Sequence, residues 1–211
     1  MPVLWRYVIT NKEAGRLART ATLSRETRET KINLTLNLDG TGKHQISTGI
    51  GFFDHMLSHL AYQSLIDLTV TAQGDLEVDG HHTVEDIGIV LGEALREALG
   101  NKQGIHRYGT ALVPMDEALV LAAVDFSGRS FLHYDLALGE GKVGNFDLEL
   151  AEEFFAALCR SGITLHLRSL AGKNRHHLME AAFKALGQAF RQAIALDPRR
   201  EGVPSTKGVL L

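Results

Sequence analysis

From Lys31 to Leu38 apolar and polar positions alternate strictly. Ile32, Leu34, Leu36 and Leu38 take one face while Lys31, Asn33, Thr35 and Asn37 take the other, the period-two pattern of a half-buried strand. The turn Asp39-Gly40-Thr41-Gly42 predicts a hairpin return through Gln45–Thr48. Gly40-Thr41-Gly42-Lys43 lacks the spacing and following helix of a phosphate loop, so it reads as that hairpin turn. A short helix is expected from Phe52-Phe53-Asp54-His55-Met56-Leu57 through His59 and Ala61. A second alternating strand then carries Ile66, Leu68, Val70 and Ala72 inward. After Gly80 the period lengthens to that of a helix. Ile87, Val90, Leu91, Ala94, Leu95, Ala98 and Leu99 form its apolar stripe, and Gly100 ends it. The second half repeats the sequence of elements. Ala118–Val124 and Arg129–Leu136 read as a hairpin around Ser127-Gly128, Glu152–Leu158 as a short helix, and Ile163–Leu167 as a strand before a final long helix. The expected fold is α/β, an α+β sandwich made by internal duplication of a strands-helix-strand-helix unit, each half a small sheet covered by two helices.

The two long helices open on the same motif. His81-His82-Thr83-Val84-Glu85 and His176-His177-Leu178-Met179-Glu180 lie 95 positions apart, and residues 81–99 and 176–194 share eight of nineteen aligned residues. The shared residues are both histidines, the glutamate, Leu91/Leu186, Gly92/Gly187, Ala94/Ala189, Arg96/Arg191 and Ala98/Ala193. Glu85 follows His81 by four residues and His82 by three, so it neighbours both on the helix surface. The adjacent histidines diverge by about 100° around the axis, so they hardly converge on one ion but each can point at a different one. Imidazole with carboxylate suits first-row divalent cations such as Mn, Fe, Zn or Ni. One such motif alone reads more simply as exposed histidines at a helix start. Its repetition in register points to a two-metal site.

Composition narrows the remaining choices. With 211 residues the chain has length for one large domain or two small ones, and 45% hydrophobic with 22% charged residues is ordinary for a globular protein. A net charge of −3 offers no basic field for nucleic acid. No apolar run reaches the ~20 residues of a membrane span, and Met1–Arg6 lacks a signal peptide's apolar region. The single cysteine, Cys159, excludes a disulfide framework and follows an apolar helical run, where free cysteine is common. These features suggest a cytoplasmic protein without membrane or nucleic-acid partners.

Further candidates come from position. His55 precedes His81 by 26 residues, and Glu153 precedes His176 by 23 near the matching helix start, so a histidine and a glutamate can fill one structural role. Glu153 is equally understandable as a solvated carboxylate near a helix N-terminus. His166 shares the polar face of its strand with Thr164 and Arg168 and reads as a surface residue. Ser205, Thr206 and Lys207 lie in a Pro- and Gly-containing tail suited to holding phosphate, and Arg107 and Arg129 occupy loops.

Taken together, Phe53-Asp54-His55-Met56-Leu57, Asp79-Gly80-His81-His82-Thr83-Val84-Glu85-Asp86, Gly172-Lys173-Asn174-Arg175-His176-His177-Leu178-Met179-Glu180 and Pro204-Ser205-Thr206-Lys207-Gly208 resemble the imidazoleglycerol-phosphate dehydratases of histidine biosynthesis, from about Arg16 to Leu210. The resemblance implies a duplicated βαβα-type fold assembled from trimers into a 24-subunit homo-oligomer, with active sites between subunits and two Mn²⁺ per site. It gives the ligand role to His55, His81, His82, Glu85, His176, His177 and Glu180. Family members often have histidine at the position of Glu153, which is retained as a ligand because glutamate also binds manganese. It assigns phosphate binding to Arg107, Arg129, Lys184, Ser205 and Lys207, and acid–base catalysis to Glu29. Residues 1–15 are expected to be an extension, 16–110 the first repeat, 111–203 the second and 204–211 a substrate-binding tail. Some relatives carry a fused phosphatase domain; here the dehydratase alone is expected.

The residue types fit that chemistry. Water must leave a glycerol arm whose C–H is acidified by no carbonyl, so the imidazole ring must serve as electron sink. Cations near its nitrogens favour imidazolate, loss of hydroxide gives a diazafulvene, and Glu29 moves the carbon-bound proton. A dinuclear metallohydrolase and a non-catalytic metal-storing assembly are the competing readings of the same ligands.

Overall fold

The computed structural model describes Ala18 to Leu210, and before them only the backbone of β1 (Leu4–Val8), β2 (Lys12–Glu13) and β3 (Arg16–Leu17). The extension expected over residues 1–15 otherwise lies outside the described residues. The first half comprises β4 (Thr20–Glu26), β5 (Thr30–Asn37), β6 (His44–Ser47), α1 (Gly51–Ser64), β7 (Asp67–Gly74) and α2 (His81–Leu99). The second repeats the series as β8 (Tyr108–Met115), β9 (Ala118–Asp125), β10 (Phe131–Asp135), α3 (Leu150–Cys159), β13 (Thr164–Ala171) and α4 (Arg175–Ile194), with the short ribbon β11 (Lys142–Val143) and β12 (Phe146–Asp147) before α3.

The strand order shows the duplication directly. One sheet runs β1-β4-β5-β7-β6 and the other β8-β9-β13-β10 when read from its β8 edge. Both expected hairpins are replaced by longer-range pairing. β5 is flanked by β4 and β7, both antiparallel, which leaves it no edge for β6. β6 therefore pairs in parallel with β7, across the α1 connection. β9 is likewise enclosed by β8 and β13, and β10 pairs in parallel with β13. A parallel pair needs a crossover, and the short helix of each half supplies it.

In β5 the alternation predicted from sequence is the burial pattern: Ile32, Leu34 and Leu36 are buried, Lys31, Asn33 and Thr35 exposed. Both sheets turn their apolar faces to a middle layer of helices. α2 packs on β4 and β5, α4 on β8 and β9, and the halves meet where α1 touches α4 and α2 touches α3. The shared glycine of the repeat serves that meeting. A Cβ on Gly92 would stand 2.5 Å from the Leu158 carbonyl of α3, and one on Gly187 would stand 2.9 Å from the Leu60 carbonyl of α1. The seam is filled by aromatic rings: Phe53 packs edge-on to Phe154 at 5.2 Å, and Phe154 stacks on Phe183 at 5.5 Å. Cys159 lies in this core, where burial pushes its thiol up to about 12, so it is packing rather than a nucleophile. Among the described residues no helix is long and apolar enough to cross a membrane.

Candidate active site

Both HHxxE motifs open their helices, and polar side chains fix those openings. Asp79 accepts from the His81 N–H at 2.8 Å, and Asn174 caps α4 by accepting from the N–H groups of His176 and His177 at 3.0 and 3.4 Å. The adjacent histidines diverge: His81 and His82 ring planes stand at 90°, those of His176 and His177 at 83°.

The first histidine of α4 faces a cluster built around a buried carboxylate. Glu180, only 6% exposed, has its Oε2 3.3 Å from His176 Nε2 and 3.8 Å from His55 Nε2. Its Oε1 accepts from Lys184 Nζ at 2.5 Å and lies 3.3 Å from His59 Nε2. His55, His59 and Glu180 each offer an atom within 4.8 Å of the others, a set able to hold a metal ion. His59 is a residue that motif reading missed, although it follows His55 by one helical turn. Burial lowers the His59 pKa to about 4, against the pull of the Glu180 carboxylate, so its ring is neutral at physiological pH. Burial would raise the Glu180 pKa, but the Lys184 hydrogen bond and the neighbouring histidines bring it below its ordinary value.

The second histidine of each motif is held by a carboxylate. His82 Nδ1 lies 3.0 Å from Asp75, at the end of β7. His177 Nδ1 lies 2.7 Å from Glu117, in the β8–β9 turn. Each contact raises the histidine's pKa and directs Nε2 away from the carboxylate, an arrangement typical of metal-binding histidines. His82 Nε2 lies 3.9 Å from Glu29. Neither Asp75 nor Glu117 carries a sequence signal, because each meets its histidine only through the fold.

The remaining expected ligands stand elsewhere in the single chain. Glu85 pairs with Arg160 at 2.8 Å, and Glu153 is half-buried in the first turn of α3. His166 lies exposed on β13, its ring 5.4 Å from His133 on β10. Of the expected phosphate group, Arg107 and Arg129 meet at Asp125, and Arg107 also reaches the tail through the Pro204 carbonyl. Ser205 and Lys207 follow in that tail, where the Ser205 hydroxyl accepts from the Lys207 N–H at 3.2 Å. Lys184 stands apart from them, on Glu180.

Fold and site together define a duplicated α/β enzyme with repeated histidine–carboxylate centres. A family model for imidazoleglycerol-phosphate dehydratase matches residues 48–190. The imidazoleglycerol-phosphate dehydratase of Moorella thermoacetica is 60% identical over 195 residues, 92% of this chain and all of the relative. The crystal structure of the Staphylococcus aureus enzyme superposes with a TM-score of 0.77 at 39% identity, over 84% of this chain and 99% of that one. The Pyrococcus furiosus structure, a complex with (S)-C348, gives 0.76 at 42% identity, over 89% and 99%. The chain belongs to the imidazoleglycerol-phosphate dehydratase family, whose members are hydro-lyases.

Proposed function

We propose that the protein removes water from imidazoleglycerol phosphate to give imidazole-acetol phosphate in histidine biosynthesis, in the cytoplasm, with two Mn²⁺ per active site. The observation that carries the metal reading is the His55–His59–Glu180 group, whose donor atoms lie within 4.8 Å of one another. Its nitrogen and carboxylate donors suit a first-row divalent cation. That group, with His176 3.3 Å from Glu180, would hold one ion. His82 and His177, each with Nδ1 occupied by a carboxylate, would present Nε2 to the other, with His81, Glu85 and Glu153 completing the sets. Bound cations supply positive charge that favours the deprotonated imidazole ring over the neutral one.

The chain's own residues do the rest. Glu29 takes the proton from the glycerol-arm carbon, and hydroxide leaves from the carbon beside the ring. The position of Glu29 3.9 Å from His82 supports this role, because it sets a carboxylate next to the ring-binding groups. Arg107, Arg129, Ser205 and Lys207 hold the phosphate, and Lys184 contributes from beside Glu180. Because these groups stand apart in one chain, complete sites require copies of it, which accords with trimers assembled into a 24-subunit shell. In this reading residues 16–110 and 111–203 are the repeats that supply the two halves of each centre, and 204–211 is the substrate-binding tail.

The test is turnover of imidazoleglycerol phosphate by chelator-stripped protein before and after Mn²⁺ addition. Acetol phosphate formation restored by the metal supports the proposal. No turnover by assembled, metal-loaded protein refutes it.

A further inference from the structure

Arg107 is fixed at both its backbone and its guanidinium. It has φ +75°, an uncommon value for a side chain larger than glycine, and its backbone is pinned by Arg107 N–H to the Ala193 carbonyl at 2.8 Å and by Phe126 N–H to its own carbonyl at 3.1 Å. Its guanidinium is buried over the Tyr108 ring, 4.6 Å from the centroid. Nε donates to Asp125 Oδ1 at 2.6 Å and Nη2 to Oδ2 at 3.0 Å, a bidentate pair that fixes the plane. Nη1 donates to the Pro204 carbonyl at 3.0 Å. Three of the five guanidinium N–H groups are thus engaged, and one hydrogen remains on each Nη. Asp125 Oδ2 also lies 3.6 Å from Nη2 of Arg129, whose side chain is otherwise largely exposed.

We propose that Asp125 is the positioning residue of the phosphate site: its carboxylate fixes the plane of Arg107 and, through Arg107, the tail that carries Ser205 and Lys207. The inference rests on the assignment of phosphate binding to these residues. A carboxylate so close to the binding site repels phosphate, so a mere counter-charge would weaken binding. Its value lies in geometry. Without it the buried Arg107 loses the acceptor that sets its plane, and the Pro204 bond loses its fixed donor.

The experiment compares Asp125→Asn with Lys207→Ala in the manganese-loaded enzyme, measuring KM, kcat and competitive inhibition by inorganic phosphate. Groups that orient a binding residue from behind are worth about 10–100-fold in affinity or activity. Asp125→Asn is therefore expected to raise KM and the phosphate Ki together by about tenfold or more, with kcat within about threefold. Asp125→Glu, which keeps the charge and the fork, should recover part of the loss, and it serves as the test variant if the Asn protein does not fold. Tighter phosphate binding by the Asn variant, or an equal loss in kcat, overturns the positioning role. If Lys207→Ala raises KM and neither Asp125 variant does, the positioning proposal alone fails. If Lys207→Ala changes neither constant, the phosphate assignment beneath it fails.

Discussion

Glu117→Gln tests whether a carboxylate behind His177 prepares it for a cation. Glu117 Oε2 accepts from His177 Nδ1 at 2.7 Å, while Oε1 accepts from the N–H groups of Asn174 at 2.7 Å and Lys173 at 3.2 Å. One side chain thereby ties the imidazole to the turn that starts α4. A glutamine has one acceptor oxygen, so it serves the ring or the backbone but not both, and its NH₂ faces a donor at the other end. The ring loses both its fixed tautomer and its fixed direction. Partners of this kind are worth about 10–100-fold in metal affinity. A second effect opposes this at lower pH. The Glu117 hydrogen bond raises the His177 pKa above its ordinary 6.5, and a protonated ring binds no cation. Removing Glu117 relieves that proton competition, so the deficit should shrink towards about pH 6 and stand in full at about pH 8.5, above the ordinary histidine range. Calorimetric Mn²⁺ titration of chelator-stripped protein at the two pH values measures it. Expected at the higher pH is about tenfold or greater weakening of one class of sites. Equal affinity there would refute the orientation argument.

Four further outcomes follow from the same geometry. Glu29→Gln should abolish turnover while Mn²⁺ content and assembly persist; a wild-type rate removes Glu29 as the base. Lys207→Ala should raise KM with little change in kcat, and unchanged kinetics would discard the tail as a phosphate contact. Gly92→Ala drives a Cβ to 2.5 Å from the Leu158 carbonyl. Overpacking of about 1–3 kcal/mol should lower Tm by several degrees, and an unchanged melt would show that α2 and α3 separate cheaply. In metal-free protein, NMR titration should find the His59 ring protonating near 4 and the rings of His82 and His177 above 6.5. By linkage, the two raised histidines contribute stability that is complete below 6.5 and lost as pH rises through their folded values, whereas the His59 contribution is lost as pH falls from 6.5 towards 4. Three rings titrating together would contradict these environments.

The sequence by itself determined the duplication and the type of the four helices and of β5, β6, β7, β9, β10 and β13, because period, turn residues and a repeated motif are local properties of the chain, whereas β4 and β8 carried no such signal. Ile32, Leu34 and Leu36 alternate in sequence and are buried as that alternation requires, and each histidine pair opens its helix. The Gly92/Gly187 identity was visible as an identity, though not as the close approach of a helix from the other half. Only the tertiary structure decided the partners. β6 joins β7 because β5 is already paired on both edges. His177 meets Glu117 across 60 positions, and Arg107 meets Pro204 across 97. Lys184, expected with the phosphate group, lies against Glu180 because one helical turn separates them. Residue type reveals what a side chain can do, whereas packing over long separations decides which neighbour it does it with.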